Sequence, residues 1–398
     1  MSVLRLTDYT LCEAALKHPD LRQSLYDAGS LLMEDVLVNL HGDEHRDRRR
    51  VEGAMFRRSF FREIEANLLP QMVAAVLSAA QKRTQLDLKW LSYRLMLQLS
   101  LVFSGIDRVD DSEDESEYLT ALLARLGQAA TLAQYQGHHR VQLEQDIREA
   151  IDEFDRAYFQ PSKQRRLNSD VDPSEHKDIL SLLLEHQSTL ALTDAAMLRE
   201  VGFFYLASAH TSVHSITHGF HELFTYLEST GLTVNNLLED PLLLQRCAHE
   251  SLRLHPSSPE AWRRAVRHLE LPDGRSLAEG DEVIIDLQTA NRDETVFGID
   301  AEVFNPNRPR TIGANPWGLS FGSGMHVCIG LNLVAGAVVN RSNPPDLQTH
   351  QWGSLTTIYR LLLAAGLRPD QDQPPEKDLE SARDTWLHYP VCLPRGLQ

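Results

Sequence analysis

Apolar positions recur with a helical period along most of the chain. Arg62 to Lys82, Leu86 to Phe103, Tyr118 to Leu132, Val141 to Tyr158 and Ile179 to His186 each carry one apolar stripe, so each is predicted as an amphipathic helix, the first broken at Pro70. Pro161 to Lys177 is polar, contains Pro173 and reads as an exposed connector. From Asp194 to about Glu228 the apolar residues cover more than one face, the pattern of a buried central helix. A further helix spans Leu242 to Leu254 and stops before Pro256. Strand signals come late: Val266 to Leu271, a Pro272-Asp273-Gly274 turn, then Glu282 to Leu287. Phe304 to Gly324 is turn-rich. With no internal repeat and no linker, residues 1–398 read as one mainly α domain with a minor β-sheet.

Charge narrows the partners. The 398 residues carry a net charge of −17, which excludes nucleic acid as the main partner, because phosphate binding requires a basic field. Yet Arg46, Arg48, Arg49, Arg50, Arg57 and Arg58 crowd one segment, while Asp110 to Glu117 is almost wholly acidic. A basic patch on an acidic protein suits an anionic cofactor or an acidic partner, and is equally compatible with a solvated helix face. Cys12, Cys247, Cys328 and Cys392 lie far apart without CxxC spacing, as expected in a reducing cytoplasm. No signal-peptide pattern opens the sequence, and no apolar run reaches the ~18 residues of a membrane span.

The most informative stretch runs Phe321-Gly322-Ser323-Gly324-Met325-His326-Val327-Cys328-Ile329-Gly330, followed by helix-like Leu331 to Val339. A cysteine on a glycine-flanked loop before a helix is expected to have a lowered thiol pKa, through backbone N–H groups and the helix dipole. The glycines let a flat cofactor approach the backbone. An isolated cysteine is more often an inert core residue, but here three glycines, a phenylalanine and a histidine surround it at fixed spacings.

This segment resembles the haem-binding signature of the cytochrome P-450 family, Phe-x-x-Gly-x-x-x-Cys-x-Gly, at every fixed position. The resemblance implies the family's triangular helical prism around haem b, with Cys328 as axial metal ligand. It implies that Phe321, Gly322 and Gly330 line the cofactor and that His326 bonds a propionate. A thiolate ligand pushes electron density onto iron and favours O–O cleavage.

Other segments extend the resemblance over nearly the whole chain. Glu250-Ser-Leu-Arg253 is similar to the family's Glu-x-x-Arg, and Arg308 to the arginine completing that structural network. Taken alone, residues three apart on a helix are an ordinary ion pair. Arg263, in Arg263-Arg264-Ala265, matches a propionate-binding arginine better than Arg264. His45 and Arg49 resemble the family's His-x-x-x-Arg and, one turn apart, can reach one anion. Two departures stand out. His45 comes early, as though the usual first helix and outer strands were lacking, and Asn340 to Trp352, with Pro344-Pro345, interrupts a helix that is normally continuous.

Over the haem, the family places an acid–alcohol pair that relays protons to dioxygen. The matching run here is Ala207-Ser208-Ala209-His210-Thr211-Ser212, so Thr211 is the candidate alcohol and His210 replaces the acid. Histidine titrates near ~6.5 and can shuttle a proton. His210, His214 and His218 recur every four residues, a spacing open to a metal on a helix, but no HExxH arrangement accompanies them.

The resemblance implies an oxidoreductase: a monooxygenase acting on an apolar small molecule with dioxygen and electrons from NAD(P)H. No GxGxxG fingerprint follows a strand, so electrons would come from a ferredoxin or other small redox protein with its own reductase. Two other classes fit the loop: a haem-thiolate catalyst without the electron chain (peroxygenase, reductase or rearrangement enzyme), suggested by His210, and a haem-binding sensor. Candidate pocket residues are Tyr205, Ala207, Ser208, Pro259, Trp262 and Trp386, from the segments Tyr205–Ser208, Ser257–Trp262 and Thr385–Leu387.

Overall fold

The computed structural model describes residues 3–168, 178–339 and 345–394. Ten helices carry the architecture: α1 (Tyr9–Lys17), α2 (Gly42–Glu52), α3 (Leu69–Ala80), α4 (Leu88–Ser104), α5 (Glu113–Thr131), α6 (Arg140–Phe154), α7 (Asp194–Thr230), α8 (Pro241–Leu254), α9 (Leu331–Ala335) and α10 (Ser354–Ala364). Helix α7 is the axis of the molecule. The Thr193 side chain accepts from Ala196 N to start it. Along its length it packs against α4, α5, α8 and α10. The main apolar core surrounds it, with Val201, Ile216, Phe220 and Leu223 buried.

Pro70 does not break its helix. A π-helical turn, Ile64–Leu68, leads directly into α3, and Pro70 falls in the first turn, where no backbone N–H is needed. Pro161 behaves the same way: Gln160–Leu167 is helical after a π-turn at Asp155–Phe159. The expected connector therefore begins later, and its part at 169–177, with Pro173, lies outside the described residues.

A four-stranded sheet forms from β1 (Val3–Leu6), β2 (Leu21–Gln23), β3 (Glu260–Ala265) and, after a two-residue pair β4 (Leu269–Glu270) and β5 (Ser276–Leu277), β6 (Glu282–Asp286). Its order is β1-β6-β3-β2; β1 runs parallel to β6 and the other pairs are antiparallel. Two expectations are corrected here. A helix and two strands do precede His45; strands of three and four residues are too short to leave an alternation signal. And of the strand expected at Val266–Leu271 only β4 forms, pairing with β5 in a small hairpin over the Pro272-Asp273-Gly274 turn, while the longer sheet strand β3 lies just before that range. In β3 the inward positions are Ala261, Arg263 and Ala265, and a buried arginine in the middle hides the pattern.

After the cysteine loop, α9 ends at Ala335, four residues short of the expected Val339. Gly336 adopts φ 72°, and a Cβ there would meet Gln351 O at 2.5 Å, so the chain turns where only glycine fits. The interruption thus starts at Gly336. Residues 340–344 lie outside the described residues, and 345–352 carry no helix. Buried Gln245 of α8 donates to Trp352 O at 3.0 Å, and Glu65 accepts from the N–H groups of Trp352 and Gly353. Those bonds satisfy backbone groups that a continuous helix would have paired internally.

A cation-rimmed cavity as candidate active site

Between the cysteine loop and α7 lies a cavity of about 280 Å³. Cys328, Phe321, Gly322 and Gly330 form one wall; Ala207, Ser208, Thr211 and Ser212 form the other. The loop is shaped by its own backbone, Cys328 N donating to Phe321 O at 2.8 Å. Phe321 is packed edge-on against Trp317. The N–H groups of Gly330 and Leu331 hydrogen-bond the sulfur, and Arg49 adds positive charge, yet burial outweighs them and pushes the thiol pKa up. The chain by itself thus does not lower the thiol pKa as the sequence predicts, although the side chain opens onto the cavity. A cation on the sulfur would supply the missing stabilisation, because a coordinating thiol is deprotonated outright.

At the rim, donors converge, several of them without an acceptor. His45 and Arg49 reach in from α2, Arg263 from β3, and His326 from the cysteine loop. His45 and His326 pack edge to face with ring centres 4.5 Å apart. Both ring nitrogens of His326, Nε2 of His45 and Nε of Arg263 are buried without a hydrogen-bond partner. Burial, then the neighbouring cations, holds His326 at about 3 and His45 at about 4. Burial lowers Arg263 to about 10. Arg49 has one anchor, Val327 O at 2.7 Å, and Arg263 donates to Gln23 and Trp262 O. Orphaned buried donors are costly, and an anionic ligand such as a carboxylate would satisfy them. These residues fit a haem: a thiol below, an apolar slot, and cations for its propionates.

The arginine-rich segment divides. Arg49 faces the cavity, while Arg48 is buried on Glu200 of α7 at 2.5 Å, beside Glu52. Only Arg46, Arg50, Arg57 and Arg58 face solvent, so a continuous surface patch of six is corrected to four. Glu200 also accepts from Leu37 N, locking α2 against α7 and aiming His45 and Arg49. Arg264 points out to Asp27 and Glu282.

Glu250, Arg253 and Arg308 are brought together. Arg253, fully buried, makes two bonds to the Glu250 carboxylate at 2.7 and 2.9 Å and two more to Asn291 O and Ala301 O. Arg308 reaches the same carboxylate at 3.1 Å. The network ties α8 to the segments leading into the cysteine loop.

The α7 wall departs from expectation at one residue. Thr211 opens onto the cavity, its hydroxyl donating to Ala207 O at 3.1 Å. His210 does not line it. Its ring lies against Gly127 of α5, where a Cβ would come within 2.6 Å of Nδ1. Tyr93 OH sits 2.8 Å from Nδ1, and Arg383 donates to Nε2 at 3.1 Å. Burial, then Arg383 and Lys89, brings its pKa to about 3. His210 thus packs away from the cavity, not on the wall where a proton relay through its ring is expected. The signal was misleading because sequence alignment fixes the position, whereas Tyr93 and Arg383 fix the direction. Among the expected pocket residues, Ala207 and Ser208 line the cavity; Tyr205, Pro259, Trp262 and Trp386 do not. Tyr205 is buried with its hydroxyl on Leu119 O, and Trp386 packs on His221 and Tyr389. The residues that replace them, Phe56, Met96, Leu99, Phe103, Phe203 and Phe204, come from three separated segments with no shared motif. Tyr26, enclosed beside Arg263, was likewise unmarked in the sequence.

Comparison with known proteins agrees with this geometry. The family profile described as "Cytochrome P450" matches residues 235–335. Indoleacetaldoxime dehydratase of Arabidopsis thaliana is 36% identical over 104 residues, 25% of this chain and 21% of that protein. Cytochrome P450 119 of Sulfolobus acidocaldarius is 29% identical over 160 residues, 39% of this chain and 40% of that one. The alignments thus span less than half of these relatives. The solved structure of CalO2 superposes with a TM-score of 0.75 at 19% identity, covering 98% of this chain and 91% of that one, which shows a shared fold. In its signature loop, in the segment 235–335 and in its fold, the chain is similar to the cytochrome P450 family, whose members bind haem b.

Proposed function

We propose that the chain is a haem-dependent monooxygenase that inserts one oxygen atom into an apolar small molecule. The supporting observation is the cavity itself, with the Cys328 thiol on one wall, the Thr211 hydroxyl on the other, and orphaned imidazole and guanidinium nitrogens at its rim. The balanced reaction is RH + O2 + NAD(P)H + H⁺ → ROH + H2O + NAD(P)⁺. Bound haem supplies the oxidising chemistry; the chain orients, excludes water and delivers protons. His45, Arg49, Arg263 and His326 would hold the propionates, and Cys328 the iron. The phenylalanine-rich lining selects an apolar substrate. Protons would pass the α7 hydroxyls: Thr211 opens on the cavity, and Ser208 meets Ser100 at 2.7 Å. Arg57 and Arg58 face solvent and suit an acidic electron donor such as a ferredoxin. All four cysteines are free, which accords with a cytoplasmic setting, and no described helix is long and apolar enough to cross a membrane.

A second reading, haem-thiolate chemistry without the electron chain, is favoured by two observations. Glu260 is the one carboxylate lining the described cavity, and it is engaged by Trp262 and Arg5. One relative is named for a dehydration, a reaction that needs no net electrons. The test is turnover of an apolar compound library with NAD(P)H, ferredoxin and reductase, in parallel with peroxide alone and with no oxidant. Product that depends on NAD(P)H supports the first reading; product only in either other arm supports the second.

A further inference from the structure

Beyond the cavity, α7 carries a row of imidazoles that the proposed chemistry does not use. The rings of His214 and His218 lie 4.4 Å apart, and those of His218 and His255 also 4.4 Å apart. One ligand atom from each of His218, His255 and Asp384 lies within 4.8 Å of the other two. The three residues come from separate parts of the fold: the middle of α7, the residue ending α8, and the loop before the strand Trp386–His388. We propose that His218, His255 and Asp384 form a binding site for one zinc ion, a second metal centre separate from the haem cavity.

The surrounding hydrogen bonds are those of a prepared ligand set. Nε2 of His218 donates to Asp384 O at 2.6 Å, and Nε2 of His255 lies 2.6 Å from the Glu222 carboxylate. Holding Nε2 on an acceptor leaves each ring's lone pair on Nδ1, the outer-shell arrangement typical of zinc-bound histidines. Nδ1 of His255 faces Asp384 Oδ2 at 3.9 Å. His214 is 5% exposed, and both of its nitrogens lack a protein partner. The row thus ends in unused donors, not in a closed hydrogen-bond network.

Two histidines and one carboxylate leave a coordination position open, as in three-ligand zinc sites. Zinc bonds of about 2.0–2.2 Å require the ligand atoms to draw together slightly, which rotation of the half-exposed Asp384 provides. Lys377 binds the other oxygen, Oδ1, at 2.5 Å and sits over the Trp386 ring. It competes with the ion for charge, so zinc must loosen or outbid this pair. Once bound, the ion would staple the loop to α7, and the adjacent Arg383 is the residue that holds His210.

The test is calorimetric titration of zinc chloride into the haem-loaded, chelator-treated protein. We expect one equivalent of zinc bound per chain, at micromolar affinity or tighter, and a higher Tm with zinc than without. Asp384→Asn and His255→Ala should each weaken binding at least tenfold, whereas His221→Gln, whose ring bonds Tyr389, should change it less than twofold. If His255→Ala fails to fold, Asp384→Asn on its exposed side chain decides alone. No zinc uptake, or uptake undiminished in Asp384→Asn, overturns the site.

Discussion

Two walls of one cavity follow different rules. The cysteine wall, residues 321–330, is held by its own backbone: Cys328 N on Phe321 O, and the Gly330 and Leu331 N–H groups on the sulfur. Each constraint spans a few residues, so a fixed spacing encodes it. The α7 wall, residues 207–215, is a plain helix whose chemistry depends on what it meets. His210 is turned to Tyr93 and Arg383, 117 and 173 residues away. Local geometry is therefore written in a motif, whereas side-chain direction on a long helix is written across the whole chain.

The sharpest break of this comparison is at the sulfur. Cys328→Ala removes the only thiol lining the cavity, and the red-shifted Soret band of the reduced, carbon-monoxide-bound protein should vanish completely. A variant that keeps that band would show that the loop does not carry the ligand. Next comes Arg253→Ala, which leaves the buried Glu250 carboxylate with only Arg308 and the Asn305 N–H. Breaking a buried pair costs about 3–5 kcal/mol, so chemical denaturation of the haem-loaded protein should show a loss of that size, or soluble haem-loaded protein should be lost altogether. Wild-type stability would remove Arg253 from the support of the cysteine wall.

The same distinction explains what could be read in advance. The helices were legible because an apolar stripe sustained over many residues is an unambiguous period. Cys328, the Glu250–Arg253 pair and the His45–Arg49 turn were legible because each is a short-range spacing. The N-terminal strands were not, since three or four residues carry too little pattern. Nor was Arg48, whose burial on Glu200 makes it a structural residue inside what reads as a surface cluster. The phenylalanine lining and the His218–His255–Asp384 cluster assemble from segments distant in sequence, where spacing carries no information.

A pH titration sharpens the contrast between buried and accessible histidines. Burial lowers His249 to about 4, against its bond to Ala335 O at 2.8 Å, and lowers His210 to about 3. The unfolded chain binds these protons near pH 6.5, whereas the folded chain does not until about pH 4, so acid favours unfolding. This contribution is present in full above pH 6.5 and is lost as pH falls from 6.5 toward 4, by on the order of 3 kcal/mol per ring. Denaturation followed at pH 7.5, 6 and 5 should show falling stability, with a shallower fall in His249→Gln. Equal slopes in the two proteins would mean that His249 is accessible to protons in the folded state.

The smallest expected effect separates adjacent residues on the α7 wall. Thr211 presents its hydroxyl to the cavity, while His210 presents its ring to Tyr93 and Arg383. If proton delivery runs along the cavity face, Thr211→Ala should lower product formed per NAD(P)H consumed and release the balance as peroxide, an effect on coupling smaller than the ~10²–10⁴-fold of a lost general acid or base. His210→Gln keeps a hydrogen-bonding group between Tyr93 and Arg383 and should leave that ratio within about twofold, although it removes the only titratable ring at this position. The pair is read in one assay with a competent ferredoxin and reductase. Equal loss in both variants would restore His210 to the relay and would mean that its ring leaves Tyr93 during turnover. Unchanged coupling in Thr211→Ala, with peroxide-driven turnover intact, would instead favour the reading without an electron chain. A drop confined to Thr211→Ala would show that direction into the cavity, more than proton affinity near neutral pH, decides which side chain on this helix serves the reaction.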